Sequence, residues 1–197
     1  MKRLLTLAVV MITVSAVSTA QLALKGIGGG IGYASFSSDV NGSETMSGFL
    51  IAAHADLGEF TKGFVFFPDI TYASTSKSVE GGTLKLSDFA INVNAHYNIE
   101  MQGMLKPYVG AGLGYNSFTS TATGTTPAVI DPFTGTVIYP AQTYTGSVSY
   151  SRLGINLLAG VNYPLNDMLT LVVEPRYTIE SDFNNFQIKV GVTYAMK

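Results

Sequence analysis

The chain has 197 residues, of which 47% are hydrophobic and 12% charged, and its formal net charge is -2. This composition excludes a disordered chain, and the lack of a basic excess gives no support to nucleic-acid binding. There is no cysteine, which excludes a disulfide framework, a thiolate metal site and a cysteine nucleophile.

The first twenty residues have the pattern of a secretory signal peptide. The start is positively charged, residues 4–17 are largely apolar, and residues 18–20 are small, as a cleavage site requires. The predicted organisation is therefore a signal peptide at 1–20 followed by a single domain at 21–197. No later segment has the ~20 apolar residues of a membrane helix, so a membrane-spanning mature chain would have to cross as a closed barrel.

From residue 22 onward, apolar side chains recur at every second position, which is the period of a β-strand. In the last run, Phe186, Ile188 and Val190 fall on one face, and Gln187 and Lys189 on the other. The pattern predicts eight strands at 24–36, 46–57, 63–74, 83–98, 105–118, 148–163, 168–180 and 185–196.

Each predicted strand has one apolar face and one face of polar residues and glycines. In the fourth strand, Phe89, Ile91 and Val93 lie on the apolar face, whereas Asn92 and Asn94 lie on the polar face. A soluble barrel would keep its apolar residues inside. The observed arrangement therefore favours lipid outside the barrel and a polar interior.

The connections between the predicted strands alternate between long and short. This alternation is typical of extracellular loops opposite periplasmic turns, and it predicts that both termini are periplasmic. Long loops are predicted at 37–45, 75–82 and 119–147, short turns at 58–62, 99–104 and 164–167, and a brief connection at 181–184 on the long-loop side.

Outward aromatic residues are expected in two rings, one near each surface of the bilayer. Pro68 and Pro175 fall inside predicted strands, and each should cause a bulge or a locally missing ladder bond, because proline cannot donate a ladder hydrogen bond. The expected rings are Phe64, Tyr97, Tyr163 and Tyr194 near the short turns, and Tyr33, Phe49, Tyr72, Phe89, Tyr115, Tyr177 and Phe186 near the long loops.

Residues 106–115, Lys-Pro-Tyr-Val-Gly-Ala-Gly-Leu-Gly-Tyr, resemble a central strand of the small bacterial outer-membrane β-barrel family, which includes the OmpA transmembrane domain and the OmpX and OmpW-like proteins. Residues 154–163, the stretch 174–177 and the alternating last strand follow in the family's order. The resemblance implies an all-β, eight-stranded antiparallel up-and-down transmembrane barrel in the outer membrane of a Gram-negative-type bacterium. It also implies contact with outer-membrane lipid and with the barrel-assembly machinery during insertion. In the family the last strand usually ends on an aromatic residue, whereas here Tyr194 is followed by three more residues.

Seven charged residues are expected to face the barrel interior as an ion-pair network, because an unpaired buried charge costs several kcal/mol. Glu174 is expected to pair with Lys189 or with an arginine of a neighbouring strand. Two interpretations stay open, a structural core and a gate in which Glu174 exchanges cationic partners. The seven residues are Asp56, Asp69, Asp88, Glu174, Arg152, Arg176 and Lys189.

The sequence predicts no catalytic, cofactor-binding or metal-binding residues and therefore no enzyme. His54 and His96 have no serine at a catalytic spacing. A metal site that joins these two histidines to Asp56 is the alternative to two hydrogen-bonded structural histidines.

Residues 119–147 are the longest segment outside the predicted strands, and segments of this length are usually functional or disordered. Within them, Val137-Ile138-Tyr139 predicts that the two flanking strands continue past the membrane as a hairpin. The predicted function is a structural or surface-interaction role for a monomeric barrel, with this segment as the contact surface. The alternatives are a narrow porin-like channel for ions or small solutes and a soluble exported ligand-binding barrel.

Overall fold

The structure is a computed structural model that describes residues 23–38, 45–181 and 183–196. The predicted signal peptide, 1–20, lies outside the described residues, as does most of the predicted loop 37–45. Within the described ranges, no helix is both long enough and apolar enough to span a bilayer.

The described residues are mostly β-strand, with eight long strands and three short ones. The long strands are β1 (Gly26–Ser38), β2 (Met46–Asp56), β4 (Phe64–Val79), β5 (Gly82–Asn98), β6 (Lys106–Thr126), β9 (Gln142–Pro164), β10 (Leu169–Ile179) and β11 (Phe183–Ala195). The short strands are β3 (Glu59–Thr61), β7 (Val129–Ile130) and β8 (Val137–Tyr139).

The long strands close into one antiparallel barrel, as the sequence predicts. Their spatial order is β2-β1-β11-β10-β9-β6-β5-β4, and β4 pairs back onto β2. Among the described residues, the first and last strands are neighbours, since β1 pairs with β11 from Gly26 opposite Ala195. The short β3 pairs with β4, and β7 pairs with β8 in a separate hairpin.

Two of the predicted long loops are strand instead. β4 and β5 continue to Val79 opposite Gly82, so the predicted loop 75–82 is wrong and reduces to the turn Glu80-Gly81. β6 and β9 stay paired to Thr126 opposite Gln142, so most of the predicted loop 119–147 is a hairpin, as Val137-Ile138-Tyr139 suggested. Alternating Thr and Ser residues gave no apolar period there, yet their β-branched and hydroxyl side chains suit an exposed ladder.

This uneven strand length gives the barrel two different ends. The end that holds Gly26 and Ala195 carries short connections and is called the short-turn end. The opposite end is called the extended end, because the longest strands, β4, β5, β6 and β9, continue furthest there. At this end β6 pairs with β9 from Ser117 opposite Ser151 to Thr126 opposite Gln142, and β5 stays beside β6 as far as Gly124. That paired segment of β6 and β9, together with the connection 127–141, is called the rim hairpin.

Both prolines interrupt the ladder as expected. Pairing of β10 with β9 is absent between Val173 and Arg176, and it resumes in the same register beyond Pro175. Pairing of β2 with β4 stops at Asp69, just before Pro68. The barrel therefore accommodates each proline by losing a ladder contact without adding a residue.

The outer face of the described barrel is an exposed apolar belt. Leu113 lies halfway along it, 46% exposed, opposite Val93 of the neighbouring strand. Aromatic residues border the belt at both ends, for example Tyr97 towards the short-turn end and Phe89 towards the extended end. The predicted outward direction of the apolar face is thus confirmed.

The barrel interior is not polar throughout. Towards the extended end, six apolar residues pack inside the lumen, with the rings of Phe36 and Phe118 edge to face at 6.2 Å. The expectation of a uniformly polar interior is therefore wrong in that half, because apolar residues occupy inward positions of the strands there. The six are Ala34, Phe36, Leu50, Ala73, Leu86 and Phe118.

Candidate functional site

Four charged side chains meet in the middle of the lumen and are called the lumen cluster: Asp69, Glu174, Arg176 and Lys189. Glu174 and Lys189 are directly opposite each other on β10 and β11, and their Oε1 and Nζ atoms are 3.1 Å apart. Nη2 of Arg176 lies 2.9 Å from the same oxygen. Two anions face two cations, so the cluster is neutral as a unit.

The guanidinium of Arg176 joins the two carboxylates across the lumen. Its Nη1 donates to Oδ1 of Asp69 at 3.0 Å, and its Nη2 donates to Oδ2 of the same carboxylate. This is a two-pronged pairing, which is the strong geometry for arginine and carboxylate. Because Asp69 lies on β4 and Arg176 on β10, the pair ties opposite walls of the barrel.

Neutral side chains donate further hydrogen bonds to these carboxylates. The hydroxyl of Tyr108 donates to Oε2 of Glu174 at 2.7 Å. Asn92 and Asn94 each donate to one oxygen of Asp69 at 2.8 Å. Asn156 donates in turn to the carbonyl oxygens of both asparagines, at 2.9 and 3.1 Å. A network connected in this way is stiff, because moving one member breaks the bonds of several others.

Four rings stack beneath the lumen cluster, on the side of the short-turn end. The ring centres of His54 and Phe67 are 4.7 Å apart, those of Phe67 and His96 4.5 Å, and those of His96 and Tyr108 4.5 Å. Phe67 thus separates the two histidines, so the alternative of a shared metal site is wrong. Over the described residues, no group of three His, Asp or Glu side chains is placed to hold a metal ion.

Three of the seven predicted interior charges do not join the lumen cluster. Asp56 lies at the short-turn end, where it accepts a 2.8 Å hydrogen bond from the backbone N–H of Gly58. Arg152 lies at the extended end, with its guanidinium carbon 5.3 Å from the centre of the Tyr150 ring. Asp88 is buried in the lumen towards the extended end, near the apolar residues there, and Phe118 lies opposite it. The alternation along a strand shows whether a side chain points inward or outward, but not its height along the barrel axis, which explains these differences.

Tyr108 and Glu180 are among the buried residues that the sequence reasoning missed. Tyr108 has inward parity with Gly110 and Gly112, so the alternation of β6 could have revealed it. Glu180 follows the last residue of β10 and is only 7% exposed. Glu180 continues the every-second-residue series of Glu174 and Arg176, which indicates an inward side chain, but the alternation is less informative where a strand ends.

The inward glycines do not leave an open path in the middle of the barrel. A Cβ on Gly114 would lie 2.6 Å from Oδ1 of Asn92, and one on Gly110 would lie 2.6 Å from Cδ1 of Leu158. Large neighbours therefore occupy the space that these glycines vacate, and the close fit of side chains at this barrel size is the expected result.

The tip of the rim hairpin is apolar and exposed. Asp131 organises its turn by accepting hydrogen bonds from the backbone N–H groups of Phe133 at 2.8 Å and Thr134 at 3.2 Å. These bonds lower the pKa of the Asp131 carboxyl below its usual range, the one from Phe133 most. Phe133 itself is 97% exposed. Its exposed apolar companions at the tip are Val129, Ile130, Val137, Ile138 and Tyr139.

The sequence model of a family described as the outer membrane protein beta-barrel domain matches residues 4–195. The chain belongs to this family. Membership agrees with the apolar outer belt of the barrel and confirms the predicted resemblance. It also places the protein among outer-membrane barrels, which does not fit the alternative of a soluble exported carrier.

Two curated relatives are opacity proteins of Neisseria gonorrhoeae. Opacity protein opA67 is 27% identical over 143 residues, which are 62% of this chain and 59% of that protein. Opacity protein opA66 is 28% identical over 125 residues, which are 53% of this chain and 51% of that protein. The chain thus spans little more than half the length of these relatives.

Two solved outer-membrane barrels share the fold. Neisserial surface protein A aligns with a TM-score of 0.62 and 19% identity over 87% of this chain and 96% of that one. Ail, the attachment invasion locus protein of Yersinia pestis, aligns with a TM-score of 0.53 and 13% identity over 89% of this chain and 99% of that one. At these identities the likeness establishes the barrel fold alone.

Proposed function

We propose that this outer-membrane barrel is a non-enzymatic surface protein and that the rim hairpin makes its contact with an extracellular partner. The observation that carries the proposal is the apolar tip, where Phe133 and its companions lie beyond the ten paired positions of β6 and β9 in the rim hairpin. Exposed apolar patches on otherwise polar surfaces mark interaction sites. In this arrangement the extended end is extracellular and both termini are periplasmic.

The near-absence of charged residues from the rim hairpin sequence indicates which kind of contact it makes. Between residues 107 and 151, Asp131 is the only charged residue, and backbone N–H groups already bind its carboxylate. Attraction between opposite charges therefore contributes little, and apolar and hydroxyl contacts carry the binding. The name of Ail, the attachment invasion locus protein of Yersinia pestis, supports attachment to a host surface as the first activity to test.

The test compares the attachment of bacteria to cultured epithelial cells. Cells that display the wild-type protein should attach several-fold more than cells carrying an empty vector. The variant Phe133→Ser/Ile138→Ser/Tyr139→Ser should lose that gain. The matched control is Thr143→Ser, which changes an exposed residue on the ladder below the tip.

Equal attachment by the tip variant and the wild type, at equal surface amounts, would refute the role of the tip. The same strains test the orientation. A protease site inserted after Thr134 should be cut on intact cells if the extended end is extracellular, and protection of that site would reverse the orientation.

The alternative of a porin-like channel requires an open lumen. The lumen cluster and the four stacked rings fill the middle of the barrel, which favours a plug over a gate. Wild-type protein in planar bilayers should therefore show no steady conductance. Discrete conductance that Glu174→Ala alters would instead establish the channel and the gating role of Glu174.

A further inference from the structure

A second group of buried polar side chains lies in the lumen towards the extended end, apart from the lumen cluster. Asp88 and Glu180 are 1% and 7% exposed, and neither of the two oxygens of either carboxylate has a hydrogen-bond partner. Asn116 and Asn185 are equally buried. Nδ2 of Asn116 and both polar side-chain atoms of Asn185 are also without partners. Seven buried polar atoms are thus unsatisfied in one part of the barrel, whereas such groups are normally bonded.

These four residues form a continuous arc around the inner wall. Asp88 and Asn116 are diagonal neighbours on β5 and β6, since Asp88 faces Phe118 across the ladder. A Cβ on Gly154 would lie 3.2 Å from Nδ2 of Asn116 and 3.0 Å from Cγ of Glu180, so these two side chains approach each other over the glycine.

Asn185 completes the arc on β11. It lies opposite Thr178, two residues before Glu180. Arg152 is close by on β9, but it makes no hydrogen bond to either carboxylate. Its guanidinium donates to the carbonyl of Ser151 at 3.4 Å and lies over Tyr150.

We propose that this arc, made of Asp88, Asn116, Glu180 and Asn185, binds a single divalent cation of the calcium class. Two carboxylates offer four oxygens and two amides offer two more, because each amide can turn its oxygen inward. Six to eight oxygen ligands, from carboxylates, amides and water, are what Ca²⁺ requires. Only two of the four ligands are acidic, so the site is consistent with the lack of a metal-holding group of three His, Asp or Glu side chains among the described residues.

The bound cation would join β5 and β6, at the base of the rim hairpin, to the opposite wall at β10 and β11. It would remove the repulsion between two buried carboxylates, which otherwise destabilises this end of the barrel. The site does not depend on the proposed surface function, since it lies inside the barrel and would form whether or not the tip has a partner.

The experiment uses the protein refolded from denaturant into detergent, so that no bacterial lipid accompanies it, and then treated with a chelator. Titration calorimetry with CaCl₂ should show one saturable site per chain. At Ca²⁺ about 100-fold above the dissociation constant, the thermal unfolding midpoint should rise by about 5–10 °C.

The double variant Asp88→Asn/Glu180→Gln should lose both the site and the Ca²⁺-dependent rise. Without Ca²⁺ it should be at least as stable as the chelated wild type, because its repelling charges are gone. The matched control Asp56→Asn, which removes an acid at the other end of the lumen, should bind Ca²⁺ as the wild type does.

The absence of saturable binding to the wild type would overturn the proposal, as would equal binding by the double variant. If the double variant fails to fold, Gly154→Ala serves instead, because its methyl group would lie 2.6 Å from Cγ2 of Thr178 and 3.0 Å from Cγ of Glu180 and would therefore displace the Glu180 side chain. Unchanged Ca²⁺ binding by folded Gly154→Ala would likewise refute the site.

Discussion

Removal of the Glu174 carboxylate tests whether the lumen cluster holds the barrel together. Glu174→Ala removes the hydrogen bond from Tyr108 and both ion pairs of this carboxylate. Arg176 keeps Asp69 as a partner, whereas Lys189, 2% exposed, makes no other ion pair among the described residues. Breaking a buried pair by removing one partner costs about 3–5 kcal/mol, and here most of that cost comes from the isolated ammonium of Lys189.

The assay is urea unfolding of the detergent-refolded barrel, followed by far-ultraviolet circular dichroism because the chain has no tryptophan. Adding Lys189→Met to Glu174→Ala should recover about 1–3 kcal/mol, since the variant no longer buries an unpaired charge. Glu59→Gln, at an exposed acid on β3, should stay within about 0.5 kcal/mol of the wild type. A loss below about 1 kcal/mol for Glu174→Ala, or strict additivity in the double variant, would refute a structural role for the cluster.

Three further predictions use urea unfolding, the first with the protein in liposomes and the other two in detergent. Leu113→Arg, at the middle of the lipid belt, should lower the free energy of unfolding in liposomes by about 2–4 kcal/mol. Thr121→Arg, on the same face but in the rim hairpin, should lower it by less than about 1 kcal/mol, and equal effects would refute the depth assigned to the belt. Gly160→Ala would place a methyl group against the Tyr108 ring and should lower the free energy of unfolding by about 1–3 kcal/mol. The methyl group of Gly146→Ala would meet no atom within 4 Å, so this control should leave stability unchanged, and the reverse order of effects would contradict the packing. Replacing 127–141 with a short glycine-containing turn should leave the unfolding midpoint unchanged, because the tip makes its own two-stranded sheet; a large loss would mean that the tip supports the barrel.

The alternation of residues was enough to predict the fold class, the facing side of nearly every strand residue and the effect of the prolines. Period two is a local property of an extended chain, so it can be read without knowing what each strand meets. The pairing of Glu174 with Lys189 was also within reach, because both residues lie on adjacent strands joined by a short connection. The sequence therefore determined that this is a closed antiparallel barrel with a charged inner face.

Only the tertiary structure decided how those inward residues are distributed in height. Asp88 and Asp69 share the same parity rule, yet one lies among apolar side chains and the other meets Arg176 across the lumen. Register and shear place residues from distant strands at one level, and neither is encoded in the period of a single strand. For the same reason, the lumen cluster, the stack around Phe67 and the arc from Asp88 to Asn185 became visible only once the barrel had closed.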